Sequence, residues 1–91
     1  MKLYWTDKGL SDLTRLHEFL YPVNPRAAAK VVQSVAKAPT RLLEVPRIGE
    51  KLEQFEPREV RRLLIGRYEV RYEIQGDALY VLRIWHTRED R

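Results

Sequence analysis

The chain has 91 residues, 44% of them hydrophobic, and a formal net charge of +4, with a pI near 9.6. That length supports one core, hence a single domain over residues 1–91, and the apolar fraction is too high for a disordered chain. With no cysteine, disulfides and thiolate metal sites are excluded, and without a signal-like apolar start or a membrane-length run the expected location is the cytoplasm.

Lys2–Trp5 is short, apolar and aromatic, which predicts a strand. Thr6 or Asp7 then offers an N-cap. Leu10, Leu13, Leu16 and Leu20 follow at three- and four-residue steps, one face of a helix, with Phe19 beside them and Pro22 as the stop. Asn24-Pro25 starts a second helix, with asparagine as cap and proline where its missing N–H costs nothing. Its apolar stripe is Ala28, Val31, Val32 and Val35, and Pro39 ends the pattern. So short a link between two helices predicts an antiparallel hairpin.

Thr40–Pro57 reads as a connector punctuated by Pro46, Gly49 and Pro57, with Leu42 and Leu43 anchoring a last helical turn. From Arg58 the period changes to two. Arg58–Ile65 is one strand, and Gly66 marks a turn. Tyr68, Val70, Tyr72 and Ile74 then alternate with charged residues in a half-buried strand. Gly76-Asp77 is a hairpin turn, and Leu79–Trp85, apolar on both faces apart from Arg83, is a central strand. The expected fold class is α+β: an N-terminal strand and an antiparallel helix hairpin packed on a mainly antiparallel sheet, completed by a C-terminal three-stranded meander. Leu10, Leu13, Leu16, Val31, Val35, Tyr72, Leu82 and Ile84 are expected between helices and sheet.

His17 and His86 lie far apart without carboxylate or cysteine company at ligand spacing, so no metal site is indicated. The isolated glycines exclude Gly-rich nucleotide fingerprints. Ser11 and Ser34 fall on helices without a nearby base, which argues against nucleophile chemistry. Arginines stand out instead. Arg58, Arg61, Arg62, Arg67, Arg71, Arg83 and Arg88 all fall in the sheet half, with Tyr68 and Trp85 interleaved. Arginine grips phosphate and carboxylate in bidentate fashion, but cross-strand pairing with Glu69 and Glu73 is an equally good account. A basic protein of this kind suits nucleic acid, an acidic protein or simply a solvated surface.

The last third carries a motif set. Val60-Arg61-Arg62-Leu63-Leu64-Ile65 is followed by Arg67-Tyr68-Glu69-Val70-Arg71-Tyr72-Glu73-Ile74, then by Leu79–Ile84 and His86-Thr87-Arg88-Glu89-Asp90. This resembles the ParE branch of the ParE/RelE toxin superfamily: a hydrophobic–arginine strand, a Tyr-x-x-x-Tyr strand and a closing strand ending in His-x-Arg-x-Asp. The upstream helix pair and the Pro46–Gly49 connector fit too.

The resemblance implies the toxin of a type II toxin–antitoxin module, neutralised by a cognate antitoxin, with no cofactor, small-molecule ligand or membrane association. ParE-type toxins block DNA gyrase; RelE-type toxins cut messenger RNA on the ribosome. For a nuclease, Arg62, His86 and Arg88 are the candidate catalytic residues. Against it, Glu69 stands where RelE carries a basic residue, and a chain ending at Arg91 has no counterpart of the C-terminal tyrosine. The gyrase reading is therefore preferred, with no catalytic residues. Target contacts are expected at Trp85, His86 and Arg88, and antitoxin contacts at Arg67, Arg71 and Arg83. A plain nucleic-acid-binding module is the third possibility, but no recognised binding motif supports it.

Overall fold

A computed structural model describes residues 1–89; Asp90 of the closing motif lies outside them. The elements are β1 (Lys2–Trp5), α1 (Asp7–Leu20), α2 (Pro25–Lys37), a single turn α3 (Pro39–Leu42), β2 (Glu50–Lys51), a 3-10 turn (Glu53–Phe55), β3 (Glu59–Ile65), β4 (Tyr68–Gln75) and β5 (Ala78–His86). The strands form one sheet in the order β1-β5-β4-β3-β2. β1 runs parallel to β5 and the other neighbours are antiparallel, so the two-layer α+β architecture is the expected one.

Local chemistry starts α1 and α2 as anticipated. The Thr6 hydroxyl, not Asp7, caps α1 by accepting from Gly9 N, and the Asn24 side chain accepts from Ala27 N ahead of Pro25. Gly66 and Gly76 turn the meander with positive φ, +59° and +55°, which a side chain rarely tolerates. The core between helices and sheet holds Leu16, Val35, Leu42, Val70, Tyr72, Ile74, Leu79, Val81 and Ile84, with Leu13 and Val31 packed half-buried against it.

Leu10 and Leu82 depart from expectation. Leu10 is 51% exposed. Gly9 comes so close to β5 that a Cβ there would lie 2.7 Å from the Val81 carbonyl oxygen. Position 9 thus faces the sheet, and position 10, about 100° further round the helix, turns away. Leu82 is half-buried because β5 carries an irregularity. Arg71 pairs with Arg83 and Tyr72 with Val81, so Leu82 has no residue opposite it. The extra residue resets the two-residue period. Before it Leu79 and Val81 face the helices; after it Ile84 does. This is why β5 reads as apolar on both faces.

β1 accompanies β5 only as far as Val81, which leaves the backbone of the second half of β5 open on that side. Side chains of α1 take over. Ile84 N donates to Asp12 Oδ2 at 2.7 Å, and Arg15 donates to the Ile84 carbonyl at 2.7 Å. Arg83 also binds Asp12, at 2.8 and 3.2 Å. Asp12 is buried. Burial alone would raise its carboxyl pKa, but hydrogen bonds from Arg83 and Ile84 N, with the Arg83 charge, hold it below the ordinary aspartate range. An exposed edge is covered by side chains instead of a strand.

Candidate functional site

Residues opposite one another across a ladder share a face, so the pairing assigns each arginine. Arg62, Arg71 and Arg83 are successive partners on β3, β4 and β5, as are Glu69 and Trp85. All lie on the sheet face away from the core cluster. The connector folds back over part of this face: Leu52 N donates to the Val60 carbonyl at 2.8 Å, and both Leu52 and Val60 are buried. Between this flap and β5 is a cleft of about 450 Å³ lined by Leu52, Gln54, Arg62, Glu69, Arg71, Arg83 and Trp85.

Inside the cleft the charges are organised by neighbours. The Arg71 guanidinium lies 4.8 Å from the Trp85 ring and 5.3 Å from the Phe55 ring, the cation–π geometry that fixes a long side chain. Arg83 lies 5.7 Å from the same indole while holding Asp12. Glu69 is 2% exposed, with Arg62 Nη1 at 3.6 Å and Arg71 Nη2 at 3.5 Å. At the next register position Arg58 grips Glu73 through both oxygens, at 2.7 and 3.2 Å. That bond, with the Arg58 charge, keeps the Glu73 carboxyl below its ordinary range despite burial. The structure thus realises the cross-strand pairing that was one of two accounts of the arginines. It does so without closing the cleft.

The residues read together at the end of β5 are divided by the sheet. Trp85, 5% exposed, floors the cleft. His86 pairs across from Tyr68 and is turned the other way, its ring 5.0 Å edge-on to Tyr68 and 6.1 Å from Phe19. Arg88 is exposed just beyond the strand, and its N–H donates to His86 Nδ1 at 3.0 Å. Arg67 belongs to the exposed Gly66–Arg67 turn, apart from Arg71 and Arg83 in the cleft. Arg62 and His86 lie on opposite faces, so the nuclease set Arg62, His86 and Arg88 does not converge.

Burial pushes the His86 pKa down, helped by the positive charges of Arg88 and Arg67. With its folded pKa below its unfolded value of about 6.5, the native state keeps full stability above that pH. Stability is lost as pH falls through 6.5 towards the folded pKa, since only the unfolded chain takes up the proton. Denaturant titrations at pH 7.5 and 5.5 are expected to show a larger drop for the native protein than for His86→Gln, by up to about 1 kcal/mol. Equal drops would mean that His86 protonates freely in the folded state.

Sequence reasoning missed Asp12, Leu52 and Phe55. Asp12 had a signal, a carboxylate within the apolar face formed by Leu13 and Leu16. Leu52 and Phe55, three apart inside the connector, are the apolar pair of a turn laid onto a sheet.

The chain matches over residues 3–91 the family model described as the ParE toxin of the type II toxin–antitoxin system parDE. The chain belongs to the ParE toxin family. Relatives of this ParE-family toxin include Toxin RelE1 of Caulobacter vibrioides, 34% identical over 82 residues, or 88% of this chain and 86% of that one. Toxin RelE2 of the same organism is 27% identical over 86 residues, 94% of each chain. A solved structure from the chromosomal ParDE toxin–antitoxin system of P. aeruginosa superposes with a TM-score of 0.80 at 26% identity, covering 94% of this chain and 95% of that one. The protein is thus a type II toxin–antitoxin toxin of the ParE/RelE superfamily, and such a toxin has an antitoxin partner. Among the described residues, no helix is long and apolar enough to cross a membrane.

Proposed function

We propose that this ParE-family toxin acts by binding DNA gyrase in the cytoplasm, without cutting RNA. The observation that carries the reading is the separation of the groups a ribonuclease would combine: Arg62 lies in the cleft, and His86 is on the other side of the sheet. The Glu69 carboxylate among the cleft arginines points the same way, since it would repel a scissile phosphate. Acid–base catalysis needs its groups within hydrogen-bond reach of one reacting centre. Gyrase as target follows from the ParE branch that the closing strand resembles. Arg88 is the contact residue of the proposed target surface, with His86 bracing it through its backbone and Trp85 holding the strand from the cleft side. Two assays test this side by side: supercoiling by purified gyrase, and cleavage of ribosome-bound messenger RNA. The toxin should abolish supercoiling and leave the messenger intact. Arg88→Ala should weaken inhibition about tenfold or more, as loss of a charged interface contact does, and His86→Gln should leave most of it. Active gyrase together with messenger cut at the ribosomal A site would replace this reading with the ribosome-dependent endonuclease.

The cognate antitoxin is proposed to neutralise the toxin through Arg67, Arg71 and Arg83, supplying acidic side chains to them. Arg67→Glu is the most informative substitution because that side chain is exposed. Combined with Arg71→Met it should raise the Kd for the antitoxin by about tenfold or more, mostly through faster dissociation. Surface plasmon resonance showing unchanged off-rates would exclude charge pairing at these arginines.

A further inference from the structure

We infer that Phe19 of α1, together with Arg67 and Arg88, forms a docking surface for an acidic segment of a partner protein, and that this surface carries the toxicity. Its place is set by β5. Beyond Val81 the edge of that strand is followed by one face of α1, on which Asp12, Arg15 and Phe19 succeed one another at three- and four-residue steps. The first two are used up on the strand. Asp12 binds Ile84 N and Arg83, and Arg15 binds the Ile84 carbonyl and Glu89. Phe19 ends the series. Its ring lies 6.1 Å from that of His86, yet the residue is 52% exposed. A single exposed apolar residue is commonplace; the cations around this one are not.

Among the described residues, Arg58, Arg61, Arg62, Arg71 and Arg83 each stand beside a carboxylate, whereas Arg67 and Arg88 do not. Both are exposed, and both lie near enough to His86 for their charges to lower its pKa. The backbone that carries them is fixed. Thr87 N donates to the Arg67 carbonyl at 2.8 Å and Glu89 N to the His86 carbonyl at 2.9 Å. His86 N donates to Glu89 Oε1 at 2.7 Å, and Arg15 ties Glu89 to α1. A surface held in this way loses little freedom on binding. An exposed aromatic ring beside two unpaired arginines combines residue types that dominate protein interfaces, and its charge calls for carboxylates on the partner. Nucleic acid fits less well, because phosphate binding gathers many cations along a strand and the other arginines of the sheet are already paired. The antitoxin carboxylate proposed for Arg67 takes the same place as one from the target, so the two partners exclude each other there. This rests on the reading that puts the target surface at the end of β5, but not on which protein is the target.

The test reads growth arrest when the toxin is induced without its antitoxin, at matched toxin levels. Phe19→Glu and Phe19→Lys both remove the ring and differ in sign. Phe19→Glu should leave viable counts about tenfold or more above those of the native toxin. Phe19→Lys should lose less, because it still attracts an acidic partner. Leu10→Ser, at a similarly exposed position of the same helix, should arrest growth like the native protein. Native potency in Phe19→Glu overturns the inference. So does an equal loss in the two Phe19 variants, which would mean a ring contact without an acidic partner. If either variant has lost its cooperative melt, Arg67→Glu decides against Arg26→Glu, the same charge change at an exposed arginine of α2; equal arrest by these two overturns it. Anisotropy with a 5′-labelled single-stranded RNA and a DNA duplex covers nucleic acid: native binding that Phe19→Glu and Arg67→Glu both abolish would assign the surface to nucleic acid and overturn the acidic partner. Supercoiling by purified gyrase is read separately. Arrested growth with gyrase fully active would overturn the proposed target, while the ranking of the Phe19 variants still decides the docking surface. A native toxin that leaves growth untouched overturns both.

Discussion

Replacing Asp12 with alanine is expected to remove about 2–4 kcal/mol of stability, below the full range for breaking a buried ion pair because Arg83 can recover water. For a domain of this size that lowers Tm by roughly 10–30 °C. The loss has several sources in one side chain. Arg83 loses both of its bonds to the carboxylate, and Ile84 N loses its acceptor on an edge where no strand supplies another. Asp12→Asn keeps one acceptor for Ile84 N and should cost less. The pH dependence has a definite sign. A carboxyl held below its unfolded value of 3.8 contributes stability above that pH and loses it as pH falls through the folded value. Asp12→Asn should therefore be the less acid-sensitive protein. Denaturant midpoints measured at pH 7 and pH 3 check both statements, and an unchanged midpoint in Asp12→Ala would show that α1 does not close the β5 edge.

The second large effect is expected at Tyr72. Its side chain is wholly buried, while its hydroxyl donates to the Pro46 carbonyl at 2.7 Å and accepts from Gly49 N at 3.0 Å. Tyr72→Ala should cost about 3–5 kcal/mol, as deletion of a large core ring does. Tyr72→Phe keeps the ring and removes both bonds, at a cost of about 1–3 kcal/mol. Its effect should be concentrated in the connector, where the Gly49 amide would exchange much faster with solvent. The connector is tied here because Gly49 passes so close to β3 and Tyr72 that a Cβ would lie 2.6 Å from the Arg62 carbonyl and from the Tyr72 hydroxyl. Uniformly faster exchange along the whole chain in Tyr72→Phe would deny this local role.

Elements whose residues repeat with one period were legible in the sequence: the capped helices, the turn glycines and the alternating strand Tyr68–Gln75. What was lost depended on contacts between distant segments. The phase of α1 is set by Gly9 against Val81, so Leu10 could not be assigned from spacing alone. A single extra residue at Leu82 inverted the alternation of β5, and with it the side on which Trp85 and His86 stand. The short strand Glu50–Lys51 is too brief to carry a period. The resemblance located the arginines and the closing strand correctly along the chain. It could not say which of them share a cleft, because that follows from pairing across three strands.

The parallel pairing of β1 with β5 also orders events in time. The residues it joins are about as far apart as the chain allows: the Thr6 hydroxyl meets the Val81 carbonyl 75 positions away. During synthesis the helix hairpin leaves the ribosome first, but its apolar face has no sheet to sit on until β5 has emerged. Non-local pairing of this kind is slow to form and leaves apolar surface open in the interval.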